Sequence, residues 1–389
     1  MTLASRMNDL GTETAFEVLA KAKVLEAQGK EIIHLEIGEP DFDTPKHIVE
    51  AGVQALRDGH THYGPTAGLP ELREAIARNS REVRGIDTDP EHVVVTPGAK
   101  PIMFYVILAL SEPGVEVIYP NPGFPIYESM IRFSGGTPVP MRLLESKAYH
   151  PDLDDLAQKI TSRTRLIIIN SPENPCGSAL TRDELETIAN LVKERDDIYV
   201  MSDEIYKDML YTGEHHSIAA FPDMDERTII LDGFSKSYAM TGWRLGYGIM
   251  PAELVPHVVK LSVNSVSCAA TFSQWAAIAA LDGPQDGVQA MLAEFTLRRR
   301  LVTDGLRAIP GINCPEPEGA FYAFPNISGT GLSSAEFEDR AMNEAGVALL
   351  AGDAFGEFGE GYVRLSYANS QENISKALER LEAMVRSLG

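Results

Sequence analysis

Residues 228–250 read TIILDGFSKSYAMTGWRLGYGIM. This stretch contains two short, mostly apolar runs, Thr228–Asp232 and Arg244–Met250, which are typical of buried β-strands. Only about a dozen residues separate the two runs, and a helical crossover between parallel strands barely fits in that length. We therefore predict that Arg244–Met250 is a strand antiparallel to its neighbours.

Similar runs recur along the preceding part of the chain. They are His92–Thr96, Val115–Tyr119, Thr137–Met141, Arg165–Asn170 and Ile198–Ser202. Helical patterns separate most of them, and one of these helices begins with a capping box formed by Thr181 and Glu184. Strands that alternate with helices predict an α/β fold, here a mainly parallel seven-stranded sheet with one antiparallel strand.

The flanking regions predict a second, smaller α+β domain. Residues 14–28 have the pattern of a helix that ends at Gly29, and residues 285–308 form a long arginine-rich helical pattern. We expect the run Arg298-Arg299-Arg300 to be a solvated face or a dimer contact. The predicted parts are an N-terminal arm that also belongs to the small domain (1–45), a large domain (46–284) and a small C-terminal domain (285–389).

Composition excludes several classes of function. The 389 residues carry a formal net charge of −22, which argues against nucleic acid and anionic membranes as partners. The cysteines Cys176, Cys268 and Cys314 are widely separated, so neither a disulfide framework nor a metal site is expected. We see no signal-peptide pattern, and the longest apolar stretch, Ile102 to Leu110, is too short to span a bilayer. A cytoplasmic location is expected.

Polar and aromatic residues follow the predicted strands, at the edge where open α/β sheets bind ligands. They are Gly98, Ala99, Lys100, Phe124, Asn174, Asp203, Tyr206, Ser235 and Lys236, with Arg244 on the same edge. A glycine turn at a helix start and an arginine suit a phosphate, and a lysine can form an imine. The set therefore predicts a flat, charged heteroaromatic ligand that bears a phosphate and an aldehyde.

The stretch from Ser235 to Arg244 resembles the cofactor-lysine motif of class I and II aminotransferases of PLP (pyridoxal 5'-phosphate) fold type I. Ser171–Gly177 resembles the family's Asn-Pro-Thr-Gly loop, and Asp203–Tyr206 resembles its Asp-Glu-x-Tyr motif. Tyr63–Gly68 and Val363–Ser366 also match. The resemblance runs in the family's order from about Gly38 to the C-terminus, and the most similar branch contains the bacterial aspartate aminotransferases.

The resemblance implies PLP as the cofactor and assigns the catalytic residues. Lys236 would be the Schiff-base lysine and the proton shuttle, and Asp203 would keep the pyridine nitrogen protonated. Asn174 and Tyr206 would hydrogen-bond the ring hydroxyl oxygen, and Phe124 would cover the ring.

The resemblance also assigns residues to the cofactor phosphate and to the substrate carboxylate. The phosphate would be bound by Gly98, Ala99 and Lys100 through their backbone and by Ser235 and Arg244. Arg364 would bind the substrate α-carboxylate, with Gly38 and Asn174 nearby. Tyr63 would reach the phosphate of the neighbouring subunit, which implies a homodimer with shared active sites.

The implied reaction is a ping-pong transfer of an amino group between an L-amino acid and a 2-oxo acid. The alternatives are a carbon–sulfur lyase or another PLP enzyme of the same fold, and a non-enzymatic module, which the intact catalytic set disfavours. Two features depart from the family. Cys176 stands where threonine is usual, and Phe124 stands where aspartate-specific relatives have Trp or Tyr. Together with the apolar segment 102–110, which offers no cation, Phe124 argues against specificity for aspartate.

Overall fold

The computed structural model describes residues 3–388. The strands are β1 Ile33–His34, β2 Val93–Thr96, β3 Glu116–Asn121, β4 Thr137–Leu144, β5 His150–Pro151, β6 Thr164–Asn170, β7 Tyr199–Asp203, β8 Thr228–Gly233, β9 Gly246–Ile249, β10 Tyr322–Ala323, β11 Val347–Ala348, β12 Leu350–Ala351 and β13 Val363–Ser366. The α-helices are α1 Thr14–Ala27, α2 Lys46–Arg57, α3 Pro70–Arg84, α4 Lys100–Leu110, α5 Ile126–Phe133, α6 Leu153–Lys159, α7 Arg182–Lys193, α8 Val255–Val263, α9 Thr271–Asp282, α10 Asp286–Ala308, α11 Ser334–Arg340 and α12 Gln371–Arg386.

The largest sheet has the strand order β2-β9-β8-β7-β6-β3-β4-β5. All seven predicted strands are present in it, and β9 runs antiparallel to both β2 and β8, as predicted. The remaining pairs among the seven are parallel. An eighth strand, β5, adds an antiparallel pair at the outer edge. It is only two residues long, too short to show a hydrophobic period in the sequence.

Helices cover both faces of this sheet because its strands are buried on both sides. Successive residues of a strand point to opposite faces. Ile167 of β6 therefore packs in the core beneath α6 and α7, whereas Ile168 packs in the core formed with α4, α5 and α8. This two-sided burial explains why the strands appear in the sequence as continuous apolar runs.

The N-terminal and C-terminal segments share a second core. β1 pairs in parallel with β11, aligning Ile33 with Val347, and β13 lies between β10 and β12 in an antiparallel sheet. Phe295 and Leu306 of α10 and Leu381 of α12 are buried in the same cluster. The boundaries at 45/46 and 284/285 stay predictions.

Two expectations about arginines are wrong. Arg298 and Arg299 of α10 are buried rather than solvated. Arg298 pairs with Asp41 and Glu294, and Arg299 pairs with Glu316, whereas Arg300 is exposed. Their partners lie far apart in the sequence, so the run alone could not reveal them. The second wrong expectation is that the strand begins at Arg244. β9 begins at Gly246, and Arg244 precedes it with a left-handed backbone conformation, φ 53°.

Candidate active site

A pocket of about 340 Å³ opens at the edge where β2, β6, β7 and β8 end and β9 begins. It brings together the predicted residues Gly38, Ala99, Lys100, Phe124, Asn174, Asp203, Tyr206, Ser235, Lys236, Arg244 and Arg364. Gly98 immediately precedes this set, on the turn into α4. Tyr63 does not line the pocket, and its side chain is 90% exposed.

Lys236 follows β8 and projects its amine into the pocket. Its Nζ donates a hydrogen bond to the carbonyl oxygen of Gly38. The pKa of the Lys236 amine is lowered to about 8, mainly by burial; the carboxylates of Glu39 and Glu13 oppose this shift, and the cations Arg364 and Lys100 add to it. At this pKa roughly a tenth of the amine is neutral at pH 7, and the neutral form is what a nucleophile or general base requires.

Asp203 is the last residue of β7 and is buried at the pocket wall. Its Oδ2 accepts a hydrogen bond of 2.6 Å from the Tyr127 hydroxyl, and its Oδ1 accepts one of 3.2 Å from the Ile205 amide. Burial raises the pKa of the Asp203 carboxyl to about 7, although both hydrogen bonds oppose this rise. A cation placed against this carboxyl would stabilise its charged form.

Arg364 lies on β13 and is a buried residue of the pocket lining. Its Nη1 donates to Oδ1 of Asn174 at 3.1 Å, and its Nη2 donates to the carbonyl oxygen of Glu36. The guanidinium also lies 4.6 Å from the ring centroid of Tyr322. Its Nε is buried and has no hydrogen-bond partner among residues 3–388. The side chain is therefore held in place and keeps a donor free for an acidic ligand.

The start of α4 and Arg244 form an anion-binding corner. Gly98 has φ 85°, a left-handed conformation that favours glycine, and a Cβ at this position would lie 2.4 Å from Nη2 of Arg244, so any other residue would force the guanidinium to shift. The backbone of Ala99 and Lys100 follows at the helix N-terminus. Amide donors, a helix dipole and a guanidinium at one corner suit a phosphate.

Aromatic residues complete the walls. The hydroxyls of Tyr206 and Tyr322 are hydrogen-bonded at 2.8 Å. Phe124 meets Tyr127 edge to face, with ring centroids 5.6 Å apart. Cys176 does not line the pocket, and burial beside Glu173 raises the pKa of its thiol well above the usual range. A buried, protonated thiol is a poor nucleophile, so the substitution of threonine by Cys176 does not place a reactive thiol in the site.

Several pocket residues were not predicted from the sequence. Two of them could have been found from their positions in the sequence. Asn170 ends a predicted strand, and Tyr127 follows Phe124 closely in the chain. Tyr322 could not have been found in this way, because the sequence does not distinguish an aromatic site residue in an apolar run from a residue of the hydrophobic core. Glu13 and Phe16 line the pocket from the start of α1, a region in which the sequence pattern indicates a helix but no site residue. Lys100 lines the pocket as well, with its Nζ 5.4 Å from the ring centroid of Phe124, whereas the sequence indicates only a backbone role for this residue.

Residues 3–388 contain no cluster of His, Cys, Asp and Glu that could hold a metal ion. Within the same range no helix is both long and apolar enough to cross a bilayer.

Comparison with known proteins identifies the family. The family model for aminotransferase class I and II matches residues 30–381. The chain belongs to the class I and II aminotransferase family. An aspartate aminotransferase of Pyrococcus abyssi is 43% identical over 92% of each chain. Aromatic-amino-acid aminotransferase 2 of Thermococcus litoralis is 42% identical over 92% of this aminotransferase and 93% of its own length. The solved structure of the Thermus thermophilus aspartate aminotransferase with maleate has a TM-score of 0.95 and 38% identity, over 99% of this chain and 100% of that one.

These findings confirm the predicted fold type and reaction class. The aminotransferase is a PLP-dependent transaminase that moves an amino group between an amino acid and a 2-oxo acid. The carbon–sulfur lyase alternative finds no support among these relatives, all of which are named as aminotransferases.

The residues around the pocket of the aminotransferase fit PLP. A buried carboxyl with a raised pKa, Asp203, suits a protonated ring nitrogen, and the corner formed by Gly98 and Arg244 suits a phosphate. The Lys236 amine, with its lowered pKa, would suit the aldehyde. The orphaned Nε of Arg364 leaves a donor for the carboxylate of a bound amino acid.

Proposed function

We propose that the aminotransferase holds PLP at this sheet edge through Lys236 and performs the amino-group transfer there. The observation that carries this proposal is the placement of the Lys236 amine, with its lowered pKa, in one pocket with Asp203 and Arg364. When bound, PLP withdraws electrons from the α-carbon of the substrate.

The side chains divide the remaining work. Arg364, fixed by Asn174, binds the α-carboxylate and orients the α-carbon toward Lys236. The neutral amine of Lys236 accepts the proton from the α-carbon of the substrate and would later donate it to the cofactor. Asp203 stays anionic against the ring nitrogen, and Tyr127 supports that charge. The same amine thus serves as base and acid in both halves of a ping-pong cycle.

The direct test is the variant Lys236→Ala. We expect turnover of amino acids with 2-oxoglutarate to fall by at least about 100-fold, the range that a general acid–base contributes, while the protein still folds. Lys147→Ala is a matched control, because Lys147 is exposed and lies outside the pocket. Steady-state rates and the absorbance spectrum of the bound cofactor would be measured for both variants. Wild-type activity in Lys236→Ala would refute the proposal.

We further propose a homodimer in which Tyr63 contributes to the phosphate site of the partner subunit. The 90% exposure of this aromatic side chain, remote from the pocket of its own chain, supports this role. The proposed division into domains 1–45, 46–284 and 285–389 places the pocket between the large domain and the two terminal parts.

The free cysteines Cys176, Cys268 and Cys314 support a reducing, cytoplasmic location.

A further inference from the structure

An ion pair closes one side of the pocket mouth. Glu13, which immediately precedes α1, accepts a hydrogen bond from Nζ of Lys100, the first residue of α4, with Nζ and Oε2 2.5 Å apart. The side chain of Glu13 is 22% exposed and that of Lys100 is 49% exposed. Both residues line the pocket, and the ammonium group lies 5.4 Å from the ring centroid of Phe124.

Lys100 is the one cation of the described lining that has no side-chain role in the proposed function. The other three are Lys236, Arg244 and Arg364, which serve the amine chemistry, the phosphate and the α-carboxylate. Lys100 is therefore the lining cation that could pair with a second carboxylate on a substrate. In the structure that position is already taken by the carboxylate of Glu13.

The surroundings of the ion pair are apolar. Ala15, Phe16, Ile37, Met103 and Phe124 line the pocket together with Glu13 and Lys100. With the pair formed, the charges of Glu13 and Lys100 offset each other, so the lining offers apolar side chains and no free cation at this position. Large neutral side chains gain apolar contact there without breaking an interaction. A side-chain carboxylate must first displace Glu13 and then remain close to a like charge.

We propose that Glu13 is a specificity-determining residue, which occupies Lys100 and so favours amino acids with large neutral side chains over dicarboxylic ones. This inference rests on the proposed function, because it assumes that the substrate lies between Arg364 and the pocket mouth. A partly exposed ion pair of this kind discriminates by a factor of up to about five, and more where bound substrate excludes water.

The test is the variant Glu13→Gln, which removes the charge and keeps the size. Single-turnover reactions of the PLP-loaded enzyme with aspartate and with phenylalanine give kcat/KM for each. We expect the aspartate to phenylalanine ratio to rise about fivefold or more. Adding Lys100→Met to Glu13→Gln should abolish the rise. Glu17→Gln is the matched control, since Glu17 is exposed on α1 and does not line the pocket.

A binding experiment separates this inference from the proposed function. Succinate and 3-phenylpropionate do not react, and their dissociation constants can be measured by titration calorimetry on the holoenzyme. Glu13→Gln should tighten succinate about fivefold relative to 3-phenylpropionate. Unchanged relative affinities and an unchanged substrate ratio would overturn the role of Glu13 alone. Failure of the wild-type enzyme to transfer the amino group of any amino acid to 2-oxoglutarate would instead overturn the proposed function.

Discussion

Two hydrogen bonds act on the buried Asp203 carboxyl, from the Tyr127 hydroxyl at 2.6 Å and from the Ile205 amide at 3.2 Å. Burial drives the pKa of this group upward, with smaller contributions from the carboxylates of Asp232 and Glu204, and the two hydrogen bonds oppose this rise to leave a value of about 7. Tyr127 is itself fully buried on α5, so its hydroxyl cannot turn to water instead. The pair therefore sets how much Asp203 is ionised near neutral pH.

Tyr127→Phe should shift the pH dependence of the reaction. The proposed mechanism needs Asp203 ionised, so activity falls as the pH drops through the pKa of this group. Removing the hydrogen bond to the charged form raises that pKa, by about one unit for a typical charge-assisted bond. The acidic limb of the kcat/KM profile should move upward, and the loss at pH 6 should exceed the loss at pH 9.

Tyr119→Phe provides the control for this shift. Tyr119 is also buried and donates to a carboxylate, Glu128, at 2.8 Å, but it lies outside the pocket. Its replacement should leave the acidic limb in place. An equal displacement in both variants, or none in Tyr127→Phe, would show that Tyr127 does not control Asp203.

At the level of elements, a buried ion cluster ties α3 to the strands behind the pocket. Arg84, the last residue of α3, donates from Nε to Glu204 at 2.6 Å and from Nη2 to Asp232 at 2.5 Å. Burial would raise the pKa of the Glu204 carboxyl, but Arg84 and His215 lower it well below its usual range. Glu204 directly follows Asp203, so this cluster fixes the end of β7 from behind.

Arg84→Met should destabilise the fold strongly. The change leaves the carboxylates of Glu204 and Asp232 buried without their principal counter-charge, which typically costs about 3–5 kcal/mol. The free energy of unfolding would be measured by urea denaturation. The matched control is Arg81→Met on the same helix, because Arg81 pairs with Asp87 at the exposed surface and should contribute little. Equal stability of the two variants would contradict the proposed role of the cluster.

The sequence predicts elements well where the signal is local. Seven strands and the antiparallel direction of β9 follow from apolar runs and from the short connection before Arg244. Partners that meet only in the fold are not predictable in this way. Arg298 pairs with Asp41, Arg299 with Glu316 and Lys100 with Glu13. These partners are so far apart in the sequence that no periodic pattern relates them. The site residues near strand ends were therefore predicted, whereas the mouth of the pocket was not.

For the whole molecule, the exposed Tyr63 makes a prediction about assembly. If it serves the neighbouring site, the protein should sediment at about twice the 42.5 kDa of one chain, the commonest closed assembly. Tyr63→Phe should weaken PLP retention about tenfold, the worth of one hydrogen bond to a charged group. The cofactor released on dialysis would measure this loss.

Mixed dimers test the sharing of sites. A dimer of one Tyr63→Phe chain and one Lys236→Ala chain has one site in which both residues are intact. Co-expression of the two variants should therefore give more activity than the sum of the separate proteins. Strictly additive activity, or a mass of one chain, would show that each site is built from a single subunit.

The hydrogen bond from Arg364 to the carbonyl oxygen of Glu36 joins residues from opposite ends of the chain. During synthesis, the strands from β2 to β9 can pair and Lys236 can take its place long before β13 leaves the ribosome. Under the proposed function, the arginine that binds the amino acid is therefore synthesised after the residues that hold the cofactor. A nascent chain that stops short of Val363 would contain Lys236 but would lack the arginine that we propose to orient the substrate toward it.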